Sequence, residues 1–159
     1  MLLRGVFGRF YTISSDLYER LNSFATSKIQ AFAQMDEAMS QVTKYTGMAR
    51  DEVKSLNEEF KQMDTRTARE QLNALAGDAG RLGIQSRDQV LEFVDAADKI
   101  NVALGEDLGD DAVKNIGKLA MMFGEDKVLG MRGAMLANAS AVNELGQTCS
   151  AAEPFLVNF

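Results

Sequence analysis

The chain has 159 residues, with 17 Lys and Arg against 23 Asp and Glu, so its net charge is −6. At 46% hydrophobic and 25% charged it has the balance of a soluble chain able to build a core, and its length suits one domain or one domain with an extended arm. The acidic surface argues against phosphate neutralisation on nucleic acid and against docking on anionic lipid, and the lack of histidine excludes imidazole bases, Ser-His triads and His-ligated metals.

The opening residues, MLLRGVFGRFYTI, read as an irregular segment over 1–13. Arg4 and Arg9 interrupt the apolar run, which falls short of the ~7–15 residues of a signal-peptide core. No stretch approaches the ~20 apolar residues of a membrane span.

From there on the chain reads as all-α, in about six helices: a long N-terminal helix plus a small helical bundle. A single proline, Pro154, agrees with this, since proline breaks helices. No segment keeps a two-residue alternation, so no strand is predicted.

The first helix is expected from about Asp16, with Asp16 and Glu19 as its starting pair, to Thr46. Leu21, Lys28, Met35 and Val42 recur every seventh residue. Leu17, Phe24, Ala31, Ala38 and Tyr45 form the companion set, and Ala25, Phe32 and Met39 widen one side. This is a heptad seam interrupted by Lys28, on a helix on the order of 45 Å long at ~1.5 Å per residue. Two uses stay open: packing along the rest of the domain, or a coiled-coil arm that self-associates. Leu21, Phe24, Met35 and Val42 are the candidate interaction seam.

The second helix is expected from about Ala49 to Met63 and the third from about Ala68 to Leu82, the latter announced by the capping pair Thr67–Glu70. Segment 14–64 thus reads as a long helix and helical hairpin arm, and 65–159 as a helical bundle cut short at its C-terminus. Gly77, Gly80 and Gly83 follow an alanine-rich helix and no strand, which suggests tight helix packing or a fraying end, not a nucleotide loop. The fourth helix, about Arg87 to Leu104, is capped by Ser86–Gln89 and carries a core stripe of Val90, Leu91, Val94, Ala97 and Ile100–Asn101.

The fifth helix, about Asp111 to Phe123, has Asp110 as its cap. The sixth, about Asp126 to Gln147, carries a stripe of Val128, Met131, Met135, Ala139 and Val142. A short last helix is expected after Ser150, with Ser150–Glu153 as its capping pair. Gly47, Gly83, Gly105 and Gly124 fall where helices should stop.

Catalytic patterns fail one by one. Gly117-Lys118 lacks the upstream glycine and the following Ser or Thr of a phosphate loop. The acidic run 106–111 lacks the alternating ligands and closing Glu of a calcium loop, and reads as helix capping. There is no Gly-x-Ser-x-Gly elbow. Cys149, the one cysteine, precludes an intrachain disulfide, has no histidine to activate it and fits a reducing compartment. Asn138-Ala139-Ser140 is a glycosylation sequon by chance, inside a predicted helix. No enzyme, metal or cofactor is expected, and the residues support a helical interaction or structural protein.

The stretch Phe32-Ala33-Gln34-Met35-Asp36-Glu37-Ala38-Met39 with Gln41-Val42-Thr43 resembles the opening of the core of phage tail tape measure proteins. The resemblance continues through Glu52–Leu56, Thr65–Leu72, Leu75–Ile84 and Val90–Lys99, then Ala139–Leu145 and Glu153–Leu156. It covers the chain from about Ser14 to its end. It implies a structural protein of the virion tail, present in the host bacterial cytoplasm during assembly, that takes part in tail assembly and length determination. The implied partners are other copies of the chain and tail tube or tail assembly chaperone proteins, without specific nucleic acid or membrane. It transfers no catalytic residue.

Family members are generally several hundred residues or longer. Fully helical, this chain would reach only on the order of 240 Å, and the sequence stops at Asn158-Phe159 in what reads as mid-helix. A truncated, split or prophage-remnant copy is the expectation. The alternative is a freestanding helical adaptor or regulator encoded by a mobile element.

Overall fold

The computed structural model describes residues 2–104 and 111–148, with side chains for 15–104 and 111–145. Within them the protein is all-α, and the six expected helices are present. They are α1 (Leu2–Thr46), α2 (Arg50–Gln62), α3 (Arg69–Arg81), α4 (Arg87–Leu104), α5 (Ala112–Met122) and α6 (Asp126–Thr148). Gly47, Gly83 and Gly124 sit at helix ends with φ of +74°, +89° and +70°. A β-carbon makes that left-handed backbone costly, so glycine there stops the helix cleanly.

The main departure is at the start. Residues 2–13 are not irregular but belong to α1, so Asp16 and Glu19 lie inside a helix and do not begin one. Two arginines, Arg4 and Arg9, do not interrupt a helix, since arginine is a good helix former.

The chain divides into two units, residues 1–37 and 38–159. The first holds part of α1 and no other element. The second holds the last turns of α1 and the other five helices. The expected boundary near residue 64 therefore moves: α2 packs on α3 and α4 and belongs to the bundle, not to an arm.

Within the second unit α4 is central, packing on α2, α3, α5 and α6. Val90, Val94, Ala97 and Ile100 of α4 are buried, in line with the predicted stripe, whereas Leu91 is half-buried, Asn101 is exposed and Phe93, outside that stripe, is buried. Each fully buried Val, Leu or Phe contributes on the order of 1.5–3 kcal/mol. Two glycines allow the closest crossings. A β-carbon on Gly80 of α3 would lie 2.6 Å from the carbonyl carbon of Tyr45, and one on Gly117 of α5 would lie 2.6 Å from Phe93 Cε2. The tight packing expected at Gly80 is present, while Gly83 serves as the helix stop.

Buried polar groups link the helices of the bundle, although Asp126 Oδ1 at the start of α6 is buried without a hydrogen-bond partner among the described residues. The buried amides of Asn57 (α2) and Asn73 (α3) donate to one another's Oδ1 at 2.9 and 2.7 Å, and each also donates to a carbonyl one turn back. This satisfies both NH2 groups without water, which a buried amide requires. Thr67 is displaced from its predicted capping role: its hydroxyl, with that of Thr65, donates to the buried Asp98 Oδ1 of α4. The cap of α3 falls one residue later, where the Ala68 amide donates to Gln71 Oε1 at 3.3 Å. α2 starts the same way, with the Ala49 amide donating to Glu52 Oε2 at 2.8 Å. Alanine has no side-chain acceptor, so only the returning half of a capping box exists at either helix.

α6 contains a break that periodicity does not reveal. Gly130 adopts φ 71° and ψ 162°, a region open essentially to glycine alone. Residues before and after it therefore do not share one helical register. Met131, Met135, Ala139 and Val142 are buried as expected, but Val128 is 83% exposed. The expected caps and stops at Gly105, Asp110 and Ser150–Glu153, along with Cys149, lie outside the described residues.

Candidate functional site

α1 follows a heptad pattern over most of its length, yet the two units use it differently. Every described side chain from Ser15 to Gln34 is exposed. Of the four seam residues, Leu21 is 60% and Phe24 63% exposed, Met35 is half-buried, and Val42 is 0% exposed. Val42 is thus not open to a partner. It belongs to the core cluster of the second unit, together with Met48, Val53 and Leu56. The physical reason is the glycine at position 80, which admits the backbone of Tyr45 and Thr46 and so draws the last turns of α1 into the core.

In the first unit Leu17, Tyr18, Leu21, Phe24, Ile29 and Phe32 are large, apolar and exposed. At ~100° per residue, Phe24 through Leu21 to Ile29 spans an arc of about 140°, broader than a two-residue heptad seam. Tyr18, Ile29 and Phe32 thus join the candidate surface. Tyr18 and Ile29 fall outside the heptad sets, and only the full-turn spacing from Tyr18 to Leu21, Ala25, Ile29 and Phe32 reveals them.

Lys28 stands within this arc. Its ammonium lies 5.4 Å from the Phe24 ring centroid, a cation–π distance. The residues one turn away are Phe24, Ala25, Ala31 and Phe32, none of them acidic. Asp16 pairs instead with Arg20 at 3.4 Å.

Among the described residues the second unit has grooves on two of its faces. One, of about 360 Å³, is lined by Glu59, Gln62, Met63, Leu91, Glu92, Asp95 and Arg132. Its carboxylates are already engaged. Glu59 pairs with Arg87 at 2.9 Å, and Asp95 pairs with Arg132 at 2.6 Å and Lys99 at 2.8 Å. Glu92 accepts from the Arg132 amide at 3.4 Å, where α6 resumes after Gly130. These contacts hold α2, α4 and α6 together. The other groove, about 240 Å³, runs between α4 and α6 beside Ile100, Leu104 and Leu136. Around the α5–α6 turn, Met122, Phe123, Val128 and Leu129 are exposed.

Among the described residues of the second unit, Tyr45 with Arg81 and Asp111 with Lys114 shift one another's titration. The Arg81 guanidinium lies 4.3 Å from the Tyr45 ring centroid. Hydrogen bonding to Arg81, then the positive charge of Lys44, holds the phenol below its usual range. At the start of α5, Asp111 makes no side-chain cap. It pairs with Lys114 at 2.5 Å, and that hydrogen bond holds its carboxyl below the ordinary value. Among the described residues no helix is long and apolar enough to cross a membrane.

Compared with family models, with curated proteins and with solved structures, the chain matches none.

Proposed function

We propose that this chain is a structural helical domain of the phage tail tape measure type, encoded by a phage or prophage. In this reading it takes part in tail assembly and length determination through helix-to-helix association. Its partners are copies of itself and tail tube or tail assembly chaperone proteins. The observation that carries the reading is the apolar face of α1 over 17–32, which has no second element in its own unit to bury it. A lone helix with such a face is marginal in water and gains stability by association. The ordered sequence resemblance supports the same reading.

The test is deletion of the coding sequence from the element that carries it, followed by electron microscopy of the particles. Absent tails or tails of altered length are expected; unaltered tails would overturn the proposal. Self-association is read separately by sedimentation. A strictly monomeric chain, unchanged by Phe24→Asp and Met35→Asp, would remove that part.

A freestanding helical adaptor is the second reading, favoured by the second unit, which closes a core of its own from Val42 to Ala139. Tail tube and tail chaperone genes beside the coding sequence would favour the first reading, and their absence the second.

A further inference from the structure

The apolar stripe of α1 has a charge that bears on what covers it. Lys28 lies inside the arc formed by Leu17, Leu21, Phe24 and Phe32, and its one-turn neighbours supply no carboxylate. The nearest acids along the helix are Glu19 and Asp36, nine and eight positions away and so more than two turns distant. A helix covering the stripe would remove water from around an ammonium that lies against the Phe24 ring, with no carboxylate one turn away among the described residues. Such burial is unfavourable without an opposing charge.

A second copy of the chain supplies that charge poorly. In parallel, in-register pairing Lys28 meets Lys28. Asp16, Glu19 and Glu37 lie on the opposite side of the helix, at ~140–160° from Leu21. Asp36 is nearer the stripe, but an antiparallel pair that set it against Lys28 would centre on Phe32. Leu17, Leu21 and Phe24 would then face Gly47, Thr43 and Ser40, which belong to the other unit and offer no large apolar side chain.

We infer that the 17–32 stripe of α1 is a docking surface for an amphipathic helix of a different protein, one whose apolar face carries a carboxylate that meets Lys28. This rests on the stripe being an association face, as proposed above, and identifies what it associates with. Leu17, Leu21, Phe24 and Phe32 supply affinity, and Lys28 supplies register and discrimination against partners with a cation or a second lysine at that position.

The probes are two synthetic amphipathic helical peptides with the same leucine seam, one with a single Glu at its centre and the other with Lys there. Each is labelled and titrated with the full chain, with Lys28→Glu and with Phe24→Asp, by fluorescence anisotropy. The full chain should bind the Glu peptide about fivefold or more tightly than the Lys peptide. Lys28→Glu should invert the preference, and Phe24→Asp should weaken both. Equal affinity for the two peptides, a preference that Lys28→Glu leaves in place, or binding of neither would overturn the inference. Lys28 and Phe24 are exposed, so circular dichroism melting of each variant should match the parent. The deletion phenotype reports on the tail reading independently, whereas sedimentation of the chain alone bears on this inference as well: self-association that Phe24→Asp abolishes would show that a second copy covers the stripe, and would overturn it.

Discussion

At the scale of single residues, the bundle depends on positions whose chemistry is ordinary but whose neighbours are close. Gly80 is the sharpest case. A methyl group there would meet main-chain atoms of Tyr45 and Thr46 at 2.6–2.7 Å, and backbone cannot rotate aside as a side chain can. Gly80→Ala should therefore lower stability by about 1–3 kcal/mol, the range for overpacking, despite alanine's better helix propensity. Urea denaturation checks this, with Ala74→Gly on the exposed face of the same helix as a contrast that loses only helix propensity. Tyr45 offers a pH-dependent counterpart. Its folded-state phenol titrates below the usual value because of Arg81 and Lys44. The folded state therefore favours the phenolate, and this contribution grows as pH rises through the lowered value and is complete above about 10, the unfolded value. Phenolate absorbance should show a low-pH component that Tyr45→Phe removes and that Arg81→Met shifts upward. No shift with Arg81→Met would disprove the assignment.

At the scale of elements, helix existence was legible because capping residues, stop glycines and four-residue apolar spacing are all local properties. Register was less so. At α3 the residue types Thr67–Glu70 fit a cap, but Asp98, distant in sequence, takes the Thr67 hydroxyl and the cap moves to Ala68. In α6 one glycine in left-handed geometry separates Val128 from the stripe its spacing suggested. Gly130→Ala carries a double burden: a backbone region closed to alanine, and a β-carbon 3.1 Å from Glu92 Oε2. A loss of about 1–3 kcal/mol is expected from the backbone alone. Because Glu92 also accepts from the Arg132 amide, hydrogen exchange at Arg132 should speed up in the same variant. Unchanged exchange there would show that the start of the second half of α6 does not depend on the glycine.

At the scale of the whole molecule, the two units should respond differently to mutation. Phe93 is buried in the second unit and Phe24 is exposed in the first. Phe93→Ala should cost about 3–5 kcal/mol in urea denaturation. Phe24→Asp should leave the midpoint of the bundle transition unchanged when measured at concentrations where the chain is monomeric. A bundle weakened by Phe24→Asp would show that the stripe is already committed within the chain.

The division between the units also marks what the sequence could tell. Composition, helix signals and the lack of histidine come from the chain itself, and they determined an all-α protein whose apolar residues form helix faces. The seven-residue repeat of α1 gave the stripe and the place of Lys28 within it. The same repeat runs unchanged through Val42, so no local rule separates the exposed half from the buried half. That separation came from tertiary structure: α3 has a glycine where α1 crosses, and the close backbone approach it allows consumes one end of the seam while the other stays open. The pairing of Asn57 with Asn73 was hidden for the same reason, since an amide on a helix reads as solvent-facing until a second amide from another helix meets it.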